Sequence, residues 1–394
     1  MKAQVTSPSL PRLRWTREEV LQSGDEYIAR LLESIRTAKR SIRFESYIFE
    51  NDHTGNEVAQ ALEDASLRGV RVRVVVDGVG SPEWSKHFFA RFSAAGVRAR
   101  VYHPLPWDRA SRRGRGFPFT LQKLGLFWVR LNRRNHRKTC VIDSREAYVG
   151  SANISDVHRK SQRGDRAWRD TIAQLEGPAI IWLIAAFEAG WTEPLHSMRW
   201  RRLIRRLTRG TGRASRGLVE LNDTLGRRLR NARSFRLRIQ AAEKTVWLAN
   251  PYFVPSSLLI RSLKQAASQG VDVRILVPKN SDVVFMPWAA RSFYGPLLKA
   301  GVRIFEYQPS MFHAKTAVID DWSRVGSTNL NHRSLIHDLE VNVTLSAPNV
   351  RKSLERQFVI DQASSQEIQF DKWSRRPLWE RFMGGTVLLL RRWI

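Results

Sequence analysis

The chain has 394 residues, a formal net charge of +29 and an isoelectric point near 11.3. Its length suits two domains of ordinary size, and its charge favours an anionic partner, either a bilayer with anionic lipids or a nucleic-acid backbone. No apolar stretch reaches the roughly 18 residues of a spanning helix, residues 1–14 lack an apolar signal core, and one cysteine excludes an internal disulfide. We therefore expect a cytoplasmic protein that rests on a membrane.

Each half of the chain predicts the same succession of elements: helix, strand, helix, strand, helix, strand and a short motif strand. Helical spacing of apolar residues occurs at 31–35 and 58–62. A β-branched run follows a helix-ending glycine at 70–76 and again at 271–277. Helices that alternate with strands predict an α/β fold, with helices on the faces of a mixed sheet.

The two halves are related by an internal duplication. Gly69 aligns with Gly270, and Gly96 aligns with Gly301, at offsets of 201 and 205 residues. Because this register is nearly constant over a long stretch, we predict two pseudo-symmetric domains with similar folds.

The repeat divides the chain into a first domain at 15–198 and a second domain at 223–370. Between them, 199–222 is predicted to be an arginine-rich linker, and 371–394 is a basic, aromatic C-terminal tail. The first domain also carries an insertion near 109–134 that mixes basic and aromatic residues and contains no acidic residue. This composition fits two alternatives equally well: an amphipathic helix that lies in a lipid headgroup layer, or a helix that packs on the domain.

One string, H-x-K-x-x-x-x-D, occurs twice. Its polar members are the candidate catalytic residues: His136, Lys138 and Asp143, then His313, Lys315 and Asp320. Each copy borders an apolar run, at 139–142 and 316–319, that predicts a short buried strand. Alternate residues of a strand share a face, so each imidazole lies beside an ammonium group. Both aspartates follow at strand ends, where a salt bridge or a turn suits them better than substrate contact does.

A Gly-Ser-x-Asn segment follows each motif. Its tight turn, hydroxyl and carboxamide suit phosphate oxygens, so the candidate phosphate-binding residues are Ser151, Asn153, Ser327 and Asn329. If the two half-sites meet, pairs of histidine, lysine, serine and asparagine surround one anionic group. The doubled motif therefore predicts one composite phosphodiester site at the interface of the two domains.

The other histidines have no repeated partners, and we expect ordinary surface or loop residues at positions such as His53, His87, His103 and His158. The single cysteine, Cys140, lies among aliphatic residues, which indicates a small core side chain. No cluster of histidine, cysteine and acidic residues has zinc or calcium spacing. A mechanism without metal or cofactor is therefore expected.

At the doubled motif the chain resembles the phospholipase D superfamily, whose mark is H-x-K-x-x-x-x-D with Gly-Ser-x-Asn. Within it, the chain resembles bacterial cardiolipin synthases, particularly the type without transmembrane helices, over roughly 20–370. Similar stretches include 77–82, 250–255 and 339–342. The resemblance implies two phospholipase D-like domains with the active site between them.

The resemblance also implies roles for single residues. One histidine attacks phosphorus and becomes a covalent phosphohistidine, while the other transfers protons. We expect His136 to be the nucleophile and His313 the acid and base, although the local sequence permits the reverse. By family position, Asp170 and Glu340 hold the second nitrogen of each histidine. The lysines and asparagines stabilise charge on the phosphate oxygens.

The implied activity is cardiolipin synthesis. A phosphatidyl group passes from phosphatidylglycerol to a second phospholipid, again phosphatidylglycerol, and glycerol is released. The implied partner is an anionic phospholipid membrane at the cytoplasmic face of the bacterial inner membrane, where the protein is peripheral and needs no obligate protein partner. The alternatives are a phospholipase D hydrolase, which uses water as acceptor, and a nucleic-acid phosphodiesterase or nuclease.

Overall fold

The computed structural model of the chain describes residues 14–105, 133–191 and 217–375. These residues form two mixed β-sheets, each flanked by helices, which confirms the predicted α/β fold with two similar domains. The predicted calls that fall on 106–132, 192–216 and 376–394 lie outside the described residues. They comprise most of the basic insertion, most of the linker and most of the tail.

The first domain contains a seven-stranded sheet with the order β1-β7-β6-β5-β2-β3-β4. Its strands are β1 (Arg17–Leu21), β2 (Ser41–Ser46), β3 (Arg71–Asp77), β4 (Arg98–Tyr102), β5 (Thr139–Ile142), β6 (Glu146–Gly150) and β7 (Ile172–Glu176). Strands β2, β3 and β4 are parallel, and the other neighbours are antiparallel. The described helices are α1 (Gly24–Thr37), α2 (His53–Leu67), α3 (Trp84–Ala94), α4 (Lys160–Arg163) and α5 (Ile181–Trp191).

The second domain contains an eight-stranded sheet with the order β15-β11-β10-β9-β12-β13-β14-β8. Its strands are β8 (Val219–Leu221), β9 (Thr245–Ala249), β10 (Asp272–Pro278), β11 (Arg303–Tyr307), β12 (Thr316–Ile319), β13 (Trp322–Gly326), β14 (Val341–Leu345) and β15 (Ser365–Glu367). Its described helices are α6 (Leu225–Gln240), α7 (Ser257–Ser268), α8 (Met286–Arg291), α9 (Tyr294–Leu298), α10 (His332–Ile336), α11 (Pro348–Ala363) and α12 (Phe370–Ser374). Strand β8 lies within the range predicted as linker.

The duplication is visible in the backbone. Gly69 and Gly270 end helices with φ of 91° and 88°, and Gly96 and Gly301 have φ of 78° and 89°. These are left-handed conformations that favour glycine. Both motif strands, β5 and β12, have the predicted bounds, and each pairs antiparallel with the first strand of a parallel set.

The two sheets pack against each other through their inner faces. One apolar cluster contains Val141 and Val149 of the first sheet together with Val318 and Val325 of the second, and all four are buried. The outer faces are covered by helices of their own domain, where Cys140 lies buried in the core as predicted. Because burial of apolar surface favours this contact, the sheets are held with their motif strands adjacent.

The motif residues lie at the carboxyl edge of the parallel strands. Thr139, the first residue of β5, is opposite Glu45 near the end of β2, and Thr316 is opposite Ala249 at the end of β9. Open α/β sheets bind ligands at this edge. In the described part of the chain, helices long and apolar enough to cross a bilayer are absent.

Candidate active site

The segment before the first motif strand, β5, presents alternate side chains to opposite faces. Asn135 and Thr139 donate to the Glu45 carboxylate at 2.6 and 3.2 Å, and the Arg137 guanidinium lies 3.5 Å from it. These odd-numbered residues share one face. The ring of Tyr47 contacts both even-numbered residues on the other: its centroid lies 4.8 Å from that of His136 and 5.1 Å from Lys138 Nζ. The alternation therefore places the imidazole and the ammonium together, as the strand pattern predicted.

The backbone of each motif is bound to the opposite domain. His136 N donates to Leu339 O at 3.0 Å, and His313 N donates to Arg169 O at 2.8 Å. Each pair belongs to an isolated parallel bridge between the domains. Both acceptors immediately precede the carboxylates that the resemblance assigns to the histidines, so the domain interface sets the histidine positions.

The side chain of each motif histidine also reaches across the interface, to a carboxylate of the other domain. His136 Nδ1 lies 3.0 Å from Glu340 Oε1, and His313 Nδ1 lies 2.8 Å from Asp170 Oδ1. All four side chains are buried. An ionised carboxylate only accepts, so a histidine paired with one carries its proton on Nδ1 and has its lone pair on Nε2. Each half-site is therefore complete only when the other domain is docked.

The Gly-Ser-x-Asn segment that follows each motif places a serine hydroxyl against the carboxylate that pairs with the histidine of the other domain. Ser151 Oγ donates to Asp170 Oδ1 at 2.7 Å, and Ser327 Oγ donates to Glu340 Oε2. The structure thus directs the hydroxyl protons to the carboxylates. Contact of these serines with phosphate stays a prediction.

The two asparagines are buried beside these serines. Asn153 Oδ1 accepts a hydrogen bond from Ile48 N at 3.2 Å, which leaves the amide nitrogen as the available donor. Asn329 Oδ1 is buried without a hydrogen-bond partner in the described part of the chain. Both carboxamides therefore retain hydrogen-bonding capacity for a ligand.

Both motif lysines are almost fully buried, and each curls back onto its own motif. Lys138 Nζ donates to His136 O at 2.9 Å, and Lys315 Nζ donates to His313 O at 2.8 Å. Burial, and then the positive charge of Lys315, lower the pKa of Lys138 to about 7. Burial lowers the pKa of Lys315 to about 8. Two ammonium groups deprived of water provide a strong electrostatic preference for an anion.

Neither histidine is readily protonated without an anion. Burial, with the charges of Lys138 and Lys315, holds the pKa of His136 well below its usual range. Burial and Lys315 lower the pKa of His313 to about 3, although Asp170 acts in the opposite direction. A neutral imidazole is the form that can attack phosphorus.

The two orienting carboxylates differ in protonation. Burial alone would raise the pKa of Asp170, but His158 and His313 outweigh burial and hold that pKa well below its usual range. Burial raises the pKa of Glu340 to about 7, against the opposing effects of Lys138 and the hydroxyls of Ser327 and Ser334. Asp170 is therefore the more firmly ionised partner.

His158 is a site residue that the sequence interpretation missed. We predicted a surface or loop histidine, but its side chain is buried, and Nδ1 lies 2.6 Å from Asp170 Oδ2. The internal repeat contained the signal. His158 lies five residues after Asn153, and Ser334, five residues after Asn329, donates to Glu340 Oε1 at 2.7 Å. Because the residue types differ, the two halves do not match in sequence at this position.

The motif aspartates lie away from the histidines. Asp143 accepts from the backbone N of Lys39, Arg40 and Ser41 at 2.7–2.8 Å. Asp320 accepts from three consecutive backbone N–H groups at the start of β9, at 2.8–2.9 Å. Each aspartate thus fastens the loop before the first parallel strand to the turn after the motif strand. Their described contacts are structural.

Among the described residues, one group could hold a metal ion by its spacing: His158, Asp170 and His313, whose ligand atoms lie within 4.8 Å of one another. However, Asn153 N lies 3.2 Å from Nε2 of His158, whose Nδ1 donates to Asp170. Both ring nitrogens are therefore engaged, and the hydrogen bonds account for the cluster as a His-Asp-His network.

The family described as "Cardiolipin synthase, PLD-like domain" matches residues 31–163 and 236–361. A cardiolipin synthase of Listeria monocytogenes serotype 4a (strain HCC23) is 31% identical over 376 residues, which is 94% of this chain and 74% of that protein. The major cardiolipin synthase of Bacillus subtilis (strain 168) is 30% identical over the same shares of both chains.

Solved structures share the fold at much lower identity. The chain is similar to the crystal structure of phosphatidylserine synthase from Haemophilus influenzae Rd KW20, with a TM-score of 0.68 and 12% identity. That similarity covers 97% of this chain and 94% of the other. The two proteins therefore share their fold over almost their whole length.

Proposed function

Since the chain belongs to the cardiolipin synthase family of the phospholipase D superfamily, whose members include phosphatidyltransferases, we propose that it joins two phosphatidylglycerol molecules into cardiolipin and releases glycerol. The observation that carries the proposal is the crossed pairing of His136 with Glu340 and of His313 with Asp170. It supplies two buried imidazoles with defined tautomers beside two buried ammonium groups. A transfer in two displacements at one phosphorus atom needs these groups.

In the first step, Nε2 of His136 attacks the phosphorus of phosphatidylglycerol. The phosphorus–oxygen bond to glycerol breaks, and His313 donates a proton to the departing oxygen. Glu340 holds the Nδ1 proton of His136 throughout. The products of this step are glycerol and a phosphatidyl group bound covalently to His136.

In the second step, His313 accepts the proton from a hydroxyl of the second phosphatidylglycerol. The hydroxyl oxygen attacks phosphorus, the bond between phosphorus and His136 breaks, and cardiolipin leaves. The enzyme returns to its initial protonation state. The order of roles is supported by the carboxylates, because firmly ionised Asp170 favours a transient imidazolium at His313.

The lysines and asparagines are proposed to bind the non-bridging phosphate oxygens. A phosphodiester anion beside Lys138 and Lys315 would offset their mutual repulsion and raise their pKa values. The same anion would make His313 easier to protonate. Substrate binding therefore prepares the site for the acid step. Ser151 and Ser327 fit a supporting role, since each already donates to a carboxylate.

We further propose that the protein is peripheral on the cytoplasmic face of the membrane. Its charge of +29 attracts anionic lipid. The loop before α8 exposes Val284 (83%) and Phe285 (42%) to solvent. In the same loop, Asp282 accepts a hydrogen bond from the Tyr252 hydroxyl at 2.6 Å. The charge of Asp282 also acts to raise the pKa of Lys315, so the loop with this apolar tip lies near the site.

The test of the proposed function is incubation of the full chain with phosphatidylglycerol vesicles in the presence of a chelator. The expected products are cardiolipin and glycerol in equal amounts. Phosphatidic acid in place of cardiolipin would identify a hydrolase, and cleavage of DNA without lipid turnover would identify a nuclease.

The roles of the histidines have a separate test. With a labelled phosphatidyl nitrophenol as donor, whose leaving group needs no acid, His313→Ala should accumulate an alkali-stable, acid-labile label that is absent from His136→Ala. Label found on His313 in the His136→Ala variant would establish the reverse order of roles.

A further inference from the structure

His158 connects the first Gly-Ser-x-Asn segment to the histidine motif of the other domain. It ends a short turn, Asp156–His158, and its side chain is 1% exposed. The backbone N of Asn153 lies 3.2 Å from its Nε2, and its Nδ1 lies 2.6 Å from Asp170 Oδ2. An N–H group can only donate, so Nε2 accepts and Nδ1 carries the proton. The tautomer that donates to Asp170 is therefore fixed by the backbone.

We propose that His158 is a positioning residue that, through Asp170, holds His313 in the orientation and tautomer needed for proton transfer. The Asp170 carboxylate has a donor on each oxygen: His158 binds Oδ2, while His313 and Ser151 bind Oδ1. A carboxylate fixed on both oxygens cannot rotate away from His313. The inference rests on the proposed role of His313 as acid and base.

The second domain lacks this device. At the equivalent position Ser334 donates to Glu340, so the carboxylate behind His136 is held by two hydroxyls instead of one hydroxyl and one imidazole. Imidazole is larger and stiffer than a hydroxyl, and Trp168 packs on both rings of the first network, with centroids 5.3 Å from His158 and 5.1 Å from His313. His313, the proposed acid and base, is thus held by the more rigid of the two hydrogen-bond networks.

Charge also distinguishes the networks. The charges and hydrogen bonds of His158 and His313 hold the carboxyl pKa of Asp170 well below its usual range, whereas burial raises the pKa of Glu340 to about 7. Removal of the His158 donor would leave Oδ2 buried without its partner, which disfavours the ionised carboxylate. His313 would then lose both its orientation and the charge that stabilises its imidazolium form.

Two isosteric variants separate hydrogen bonding from packing. In His158→Asn the amide nitrogen occupies nearly the position of Nδ1 and can donate to Asp170, whereas His158→Leu has the same size and no donor. We expect His158→Leu to lower kcat on the order of 10- to 100-fold with KM nearly unchanged. His158→Asn should recover most of that loss. His87→Leu, at a histidine on α3 with a partly exposed side chain, is the matched control and should behave as the unmodified enzyme. Equal defects in the Asn and Leu variants would overturn the inference.

A leaving-group comparison tests which step His158 serves. Nitrophenolate leaves phosphorus without protonation, while the glycerol alkoxide requires an acid. In single-turnover reactions, His158→Leu should slow release of glycerol from phosphatidylglycerol far more than release of nitrophenolate from a phosphatidyl nitrophenol. His313→Ala should show the same selectivity in stronger form.

The same comparison distinguishes the two ways of failing. If His313→Ala discriminates between the leaving groups and His158→Leu does not, the positioning role is wrong while the proposed function stands. If His313→Ala slows both leaving groups equally, the acid assignment falls, and the inference falls with it.

Discussion

Glu340, in the second domain, accepts a hydrogen bond at 3.0 Å from Nδ1 of His136, in the first domain. The equivalent bond runs the other way from His313 to Asp170 at 2.8 Å. Each domain thus contributes a motif histidine to one half-site and, to the other half-site, the carboxylate that accepts from the second histidine. One half alone contains neither hydrogen-bonded pair, so both pairs form only when the two domains are docked.

The carboxylate Glu340 should be needed for its charge and acceptor geometry more than for its size. Glu340→Gln keeps the shape but can turn an amide N–H group toward Nδ1, which favours the wrong tautomer of His136. We expect kcat for cardiolipin synthesis to fall on the order of 100-fold to 10,000-fold. Glu83→Gln, at a side chain 71% exposed, is the control. Activity within the range of the control would show that the crossed pair has no role in turnover.

The motif aspartates should act on stability and leave the chemistry largely intact. Asp143 accepts three backbone hydrogen bonds and has φ of 52°, a left-handed value that asparagine tolerates. Asp143→Asn should lower the free energy of unfolding by about 1–2 kcal/mol, measured in urea, because the neutral amide loses charge-assisted bonds. The kcat per folded molecule should change little.

The loss of stability in Asp143→Asn should depend on pH, and the direction follows from the pKa of Asp143. Burial would raise the pKa of Asp143, but hydrogen bonds from Ser41, Lys39 and Arg40 outweigh it and lower the pKa. The contribution of Asp143 is therefore present above the unfolded pKa and is lost as pH falls through the folded pKa. In acid, the unmodified protein and Asp143→Asn should therefore have similar free energies of unfolding. A large loss of kcat with unchanged stability would instead place Asp143 in the catalytic machinery.

The features repeated in both halves could be predicted from the sequence. Strands β5 and β12 had their predicted bounds, since each is an apolar run bordered by charged residues. The edge strand β8 has three residues and no repeated motif, and its assignment comes from pairing with β14. Local periodicity carries little information about such a strand.

The pairing within the site could not be predicted in the same way. The resemblance implied that Asp170 and Glu340 orient the histidines but left open which histidine each one reaches. That choice depends on the domain interface, where Leu339 and Arg169 bind the backbone of the opposite motif. His158 was missed because the copies share a donor function at that position and not a residue type.

The buried lysines should set an alkaline limit on activity. The pKa of Lys138 is lowered to about 7 and that of Lys315 to about 8, so both lose their protons in the free enzyme as pH rises through this range. Since kcat/KM reports the free enzyme, it should decline above about pH 7–8. Lys138→Arg keeps its charge at all accessible pH values, so its alkaline limb should shift upward even if its maximum rate is lower. An unchanged limb in that variant would assign the decline to another group.

The exposed tip of the loop before α8 should contribute to membrane attachment. Val284 is 83% exposed, and burial of one such side chain in lipid is worth about 1.5–3 kcal/mol. Val284→Asp should therefore weaken co-sedimentation with phosphatidylglycerol vesicles by roughly tenfold or more, given the free energy of burying that side chain.

Leu67→Asp, at a residue 70% exposed at the end of α2, introduces the same charge on another surface and serves as control. Equal losses in both variants would indicate a general effect of charge, because the net positive charge falls by the same amount. Turnover of a short-chain, monomeric phosphatidylglycerol should be unaffected by Val284→Asp, since that substrate does not require the protein to reach a bilayer.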